Sequence, residues 1–229
     1  MNSDKANRPP GAVPTGTEAP FAKAMTPGSQ EARRQQLIAA TVRIIARHGF
    51  SSTTLAKVAQ DAGMSPGIVN FYFTSKDQLL IAVLKSLSDE FMGRLEHALA
   101  ESGIDPAENL QALIAAVLDP TLSQPDKCAV WYAFWGEAGA RAEYMRICGE
   151  RDEAYHRALL ALCRQLAESA PPGSQPDAEA ITLALLGLLD QLWQDIMARP
   201  DDFDRAEAQR LAEGFLASVF PWRFARPVR

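Results

Sequence analysis

Cysteine is scarce in this chain of 229 residues, and histidine equally so, with three of each. Cys128, Cys148 and Cys163 are too few and too scattered to frame a disulfide-stapled fold; they fit a reducing, cytoplasmic compartment. His48, His97 and His156 share no ligand spacing with them, so no metal site is expected. Long apolar runs are also missing. The N-terminus has no signal core, and the hydrophobic stretch from Leu183 to Trp193 is short and interrupted by Asp190, so no membrane span is expected. There is no glycine-rich phosphate loop and no nucleophile paired with a base. An enzyme therefore finds no footing, and no cofactor is implied. No period-two alternation marks a strand, and no segment repeats.

What remains is enough apolar material for a core, 47% of the residues, so global disorder is excluded. The formal net charge of −5 argues against a nucleic-acid partner until its distribution is read. Residues 1–28 carry a net +1, residues 29–76 a net +4 and residues 77–229 a net −10. A basic N-terminal module on an acidic body is the asymmetry of a DNA reader with a separate regulatory part.

Every structured segment reads as helix, so the expected class is all-α. Residues 1–28, rich in proline with Gly, Ser and Thr, read as a disordered tail. Ser29 is expected to cap a helix from Gln30 to His48, ended by Gly49. A long helix should run from Lys76 to about Ala100. Shorter ones follow over Glu108–Leu118, Asp126–Ala140 and Glu143–Glu168, then Ala178–Ala198 and Asp204–Phe220. Asp-Pro and Pro-Pro-Gly signals separate several of them. Residues 29–76 form the first module and residues 77–229 the second.

Thr53 to Lys76 is the most specific stretch. Thr54 is placed to cap a short helix whose apolar face is Leu55, Val58, Ala59 and Ala62. Gly63 stands where a left-handed C-cap favours glycine. Ser65 and Pro66 then open a second short helix as N-cap and first position. Ile68, Val69 and Tyr72 face inward, while Ser65, Gly67, Asn70 and Phe71 point outward. Ser75 to Gln78 fits a capping box for the long helix. This is the logic of a helix-turn-helix that enters the DNA major groove. Arg34 and Lys76 are phosphate contacts on this reading, or solvated cations.

From Arg34 to Leu80 the chain resembles the TetR family of one-component transcriptional regulators. The likeness rests on His48-Gly49-Phe50, Thr54, Val58-Ala59, Ala62 to Ser65, Gly67, Tyr72-Phe73, Lys76 and Leu79. Many members carry Tyr where Asn70 stands. The Gly67 to Phe73 version is similar instead to the branch containing BetI, the repressor of glycine-betaine synthesis. Trp131 to Trp135, Tyr144 and Gly187 to Trp193 extend that likeness more weakly. The resemblance implies a double-stranded DNA operator, a homodimer and a small-molecule effector. Arg34, Thr54, Ser65, Pro66, Gly67, Asn70, Phe71, Tyr72 and Lys76 are the expected DNA contacts.

The helix from Ala178 to Ala198 is apolar nearly all round, and with the last helix it could build a four-helix dimer seam. A central core helix is the alternative. Trp131 and Trp135 lie one turn apart with Phe134 beside them and Glu137 following, and Asp190 shares a face with Trp193. Aromatic faces plus a carboxylate suit a quaternary ammonium, and the BetI likeness points to choline or a relative. The same tryptophans serve equally well as ordinary core, and Asp190 as a dimer-seam pair. A TetR-type regulator with an unrelated effector is the nearest alternative, and a helical protein-interaction module a more distant one.

Overall fold

The computed structural model describes residues 27–174 and 176–224. Among them the chain forms nine helices and no strand. The proline-rich tail assigned to residues 1–28 lies almost wholly outside the described residues. The first helix, α1, starts at Pro27 rather than Gln30 and runs to His48. Proline is favourable in a first turn, where its missing amide has no partner to lose. Gly49 ends α1 with a φ of 78°.

The helix-turn-helix follows as α2 (Leu55–Asp61) and α3 (Pro66–Tyr72). Each cap forms as the side chains dictate. Thr54 accepts from the Lys57 amide at 3.3 Å and Ser65 from the Ile68 amide at 3.4 Å. Gly63 turns the chain between them at φ 65°, a backbone any Cβ would strain. Val58, Ala59, Ala62 and Val69 are buried in the angle of the two helices. α1 clamps the unit from behind. Arg43 pairs with Asp61 at 2.6 Å, and the Gln36 side-chain amide donates to the Ala62 carbonyl at 2.9 Å.

The long helix α4 (Lys76–Glu101) leaves this unit and spans about 39 Å at 1.5 Å per residue. Ser75 caps it, accepting from the Gln78 amide at 3.2 Å. The return arm of the capping box lands one residue early: Gln78 Oε1 takes the amide and hydroxyl of Thr74. Beyond it come α5 (Pro106–Val117), α6 (Pro125–Gly136), α7 (Ala138–Glu168), α8 (Ala178–Ala198) and α9 (Arg205–Val219). The expected break near residues 140–143 falls instead at Glu137, a single extended residue that joins α6 to α7. Nothing in the local sequence but Gly136 and Gly139 marks it.

Two hydrophobic cores share α4. The first holds α1, α2, α3 and the Leu79–Leu87 half of α4, closed by Val130 and Phe134 of α6 and Tyr144 and Cys148 of α7. The second holds Leu95 and the buried faces of α5, α7, α8 and α9. The first core does not stop at residue 76, where the sequence places a module boundary, but extends into α4, α6 and α7. No helix among the described residues is long and apolar enough to cross a membrane.

Candidate functional site

The outward face of α3 and its surroundings form one candidate site. Ser65, Pro66, Gly67 and Asn70 are exposed, and Phe71 is 71% exposed. Val69 lies fully buried on the opposite side and anchors the helix. The Phe71 ring meets the Tyr72 ring edge-on, centroids 5.2 Å apart. Tyr72 is partly buried, and its hydroxyl is buried without a hydrogen-bond partner. Arg34 lies 5.8 Å over the Phe73 ring and pairs with Glu31 at 3.6 Å. The Lys76 ammonium is already engaged. It donates to the Phe50 carbonyl at 2.8 Å and the Ser51 carbonyl at 3.3 Å, and it sits over the Phe50 ring. The structure thus gives Lys76 a tether to the α1–α2 turn that its position at a helix start did not announce.

The second site is a cavity of about 370 Å³ between α4, α5, α6, α7 and α8. Its walls are mostly aromatic: Phe91, Trp131, Tyr132, Trp135, Tyr155 and Trp193 among them. Phe91 is the hub, edge-on to Tyr155 at 5.6 Å, Trp193 at 5.9 Å and Trp131 at 6.5 Å. Tyr144 packs against Trp135 at 4.9 Å and Trp131 at 6.0 Å. The Trp193 indole is held by its N–H, which donates to the Val117 carbonyl at 3.0 Å. These edge-on contacts and the indole hydrogen bond hold the rings in place.

Two carboxylates enter this wall, each held by a tyrosine. Tyr144 donates to Asp152 at 2.9 Å, and Tyr132 donates to Asp190 at 2.7 Å. Gln194 also donates to Asp190, at 2.8 Å. Asp152 keeps an open side toward solvent, yet the protein packed around its carboxylate raises its pKa above the ordinary value, against the lowering effect of the Tyr144 hydrogen bond. Burial also raises both tyrosines, Tyr144 with help from Asp152 and Tyr132 with help from Asp190. Neither Lys nor Arg lines the cavity. The carboxylates in the lining are Asp152 and Asp190, and His156 is the one basic side chain beside them, so the balance of the wall favours a cation.

Of the expected ligand contacts, Trp131, Trp135, Asp190 and Trp193 line this cavity. Phe134 does not. It is 2% exposed and packs into the first core, edge-on to Phe50. The reason is helical phase: at about 100° per residue, Phe134 points well away from Trp135 and faces α1. Glu137 is the joint between helices rather than a wall of the cavity. Phe91, Tyr132, Asp152, Tyr155 and His156 were not anticipated as cavity residues. Asp152 and Tyr155 are three apart on α7, a spacing that puts both on one face, but Phe91 arrives from α4 and carries no local sign. Among the described residues no group of His, Cys, Asp and Glu could hold a metal ion.

Residues 37–83 match the model of bacterial regulatory proteins of the tetR family, and residues 106–221 match that of the BetI-type transcriptional repressor C-terminal domain. The chain is 35% identical over 190 residues to the HTH-type transcriptional regulator BetI of Burkholderia thailandensis, covering 82% of this chain and 94% of that one. The chain belongs to the TetR family, in its BetI-type branch. TetR-family members of this kind are named transcriptional regulators, not enzymes. Among solved structures, a transcriptional regulator from Pseudomonas aeruginosa PAO1 superposes with a TM-score of 0.70 at 27% identity, covering 88% of this chain and 97% of that one. A regulator from Saccharomonospora viridis, solved in complex with choline, shares the fold at TM-score 0.67 and 18% identity, covering 81% of this chain and 96% of that one.

Proposed function

We propose that this TetR-family regulator is a repressor that binds a two-fold operator as a homodimer and releases it when a small quaternary ammonium compound, choline or a close relative, fills the cavity. The observation that carries the proposal is the aromatic wall with Asp152 and Asp190 set in it and no Lys or Arg beside them. A quaternary ammonium cannot donate a hydrogen bond, so it is recognised by ring faces and by a nearby negative charge. The choline complex of the Saccharomonospora viridis protein supports this ligand class.

The DNA side of the proposal uses α3. Asn70 and Phe71 meet base edges, while the amides and side chains around Thr54, Ser65, Pro66 and Gly67 meet the backbone, with Arg34, Tyr72 and Lys76 alongside. Exposed Leu183, Met197 and Leu211 on α8 and α9 support a twin-subunit seam. In such a dimer two reading helices would stand about 34 Å apart, one turn of DNA. Operator binding sets the protein in the cytoplasm. The effector acts only through its differential affinity for a conformer whose reading helices are misplaced; a full switch needs a preference of about 10⁴-fold.

The test is a fluorescence-anisotropy titration against the DNA upstream of the protein's own gene, at fixed salt, with and without choline. Tight binding that choline weakens is the expected result. Tight binding unmoved by choline would leave the DNA reading standing and remove choline as effector.

A further inference from the structure

We propose that α3 reads an A·T-rich half-site, with Phe71 packed on the C5-methyl group of a thymine and Asn70 paired with a neighbouring adenine. This rests on α3 being the helix that enters the major groove. The helix, Pro66–Tyr72, carries no charged residue at all. Its exposed positions are Pro66, Gly67, Asn70 and Phe71, with Ser65 just before them. Pro66 and Gly67 offer no side-chain donor or acceptor. The Ser65 hydroxyl accepts from the Ile68 amide as the N-cap, and its free O–H suits acceptors on either kind of base pair, so it does not select one. Asn70 and Phe71 are therefore the two side chains through which α3 can discriminate bases.

Their chemistry selects one kind of pair. Guanine is read in the major groove by Arg or Lys on O6 and N7, and α3 has neither. Asn presents a donor and an acceptor that match adenine N6 and N7. Phe has no hydrogen bond to give and nothing to offer a phosphate; the apolar group on a base edge is the thymine methyl. Lys57 and Lys76 lie outside α3, in α2 and at the start of α4. Lys57 on α2 donates to the Ser52 carbonyl at 2.8 Å, and Lys76 is tethered to the α1–α2 turn. The Phe71 ring is 71% exposed and steadied edge-on by Tyr72, so it is already poised for that contact.

The experiment first selects duplexes that the full-length protein binds from a random pool at about 50 mM salt, where phosphate contacts are strong. Each thymine of the selected half-site is then replaced by uracil, which removes the methyl and keeps the pairing. One such replacement per half-site is expected to weaken the wild type about fourfold, the worth of one buried methyl. Phe71→Ala should be indifferent to that swap and sensitive to no other. Asn70→Ala should keep the methyl sensitivity and lose the adenine preference beside it. Both side chains are exposed, and unchanged thermal melting by circular dichroism would verify that both variants fold. Uracil tolerated at every position, Phe71→Ala retaining the full methyl effect, or a selected half-site centred on G·C pairs would each overturn the proposal. Recovery of no duplex at all would overturn the DNA-reading assignment of α3 itself, a distinct outcome.

Discussion

The rings of Phe50 and Phe134 meet edge-on, centroids 5.1 Å apart and planes at 80°. Phe50 lies in the turn between α1 and α2, and its carbonyl is the one that holds Lys76. Phe134 sits on α6 between Trp131 and Trp135, both of which line the cavity. One aromatic pair therefore joins α6, which carries two of the cavity's tryptophans, to the turn between α1 and α2. A shift of α6 toward or away from a bound cation would press on this contact directly.

Phe134→Leu keeps most of the apolar volume and removes the ring pair, a loss of about 0.5–1.5 kcal/mol. The expected outcome is a variant that still binds choline and still binds operator, but whose operator affinity responds less to choline. Coupling is reciprocal, so choline affinity should also differ less between free and DNA-bound protein. Isothermal titration with and without operator measures both. Full coupling in the variant would remove this pair from the transmission path.

Asp152 gives a prediction with a definite pH sign. Its folded pKa is raised above the ordinary aspartate value by burial. The ionised form therefore opposes folding above that raised pKa, and the opposition fades as pH falls through it toward the ordinary value. Asp152→Asn should raise the melting temperature at pH 7 and lose that advantage near pH 4. The same substitution should weaken choline binding at pH 7, and in the wild type choline affinity should fall as pH drops through that window. A variant that melts lower at pH 7, or binds choline unchanged, would contradict the assignment. Scanning fluorimetry and titration across pH read both effects.

The buried Tyr72 hydroxyl has no partner in the free protein. Leaving a buried hydroxyl unpaired costs about 1–3 kcal/mol, so Tyr72→Phe should leave the free protein as stable or more stable. If the hydroxyl finds a phosphate when DNA arrives, the same variant binds all duplexes more weakly, operator and random alike. Chemical denaturation and anisotropy separate the two effects. Reduced stability with unchanged DNA affinity would show that the hydroxyl serves the free fold instead.

The helix-turn-helix was legible because its signals are local. Thr54, Gly63, Ser65, Pro66 and Ser75 each act on backbone within a few residues, and apolar spacing alone sets which side of α3 turns inward. Most helix boundaries follow from the same short-range chemistry. The joint at Glu137 was not legible, since a single extended residue between two helices leaves almost no mark in composition. The cavity was half legible. Trp131, Trp135, Asp190 and Trp193 share faces that helical periodicity reveals, but which face meets a cavity and which meets a core depends on neighbours far along the chain.

The sequence by itself determined the all-α class, the DNA-reading module and the charge division between that module and the body, because helix caps, periodicity and charge are properties of adjacent residues. Only the tertiary structure decided that Phe134 belongs to the first core and not the cavity, that Lys76 is tethered to Phe50, and that Phe91 and Asp152 join the aromatic wall. Those outcomes depend on how α4, α6, α7 and α8 cross. Crossing is set by the summed packing of many side chains, which no local pattern encodes.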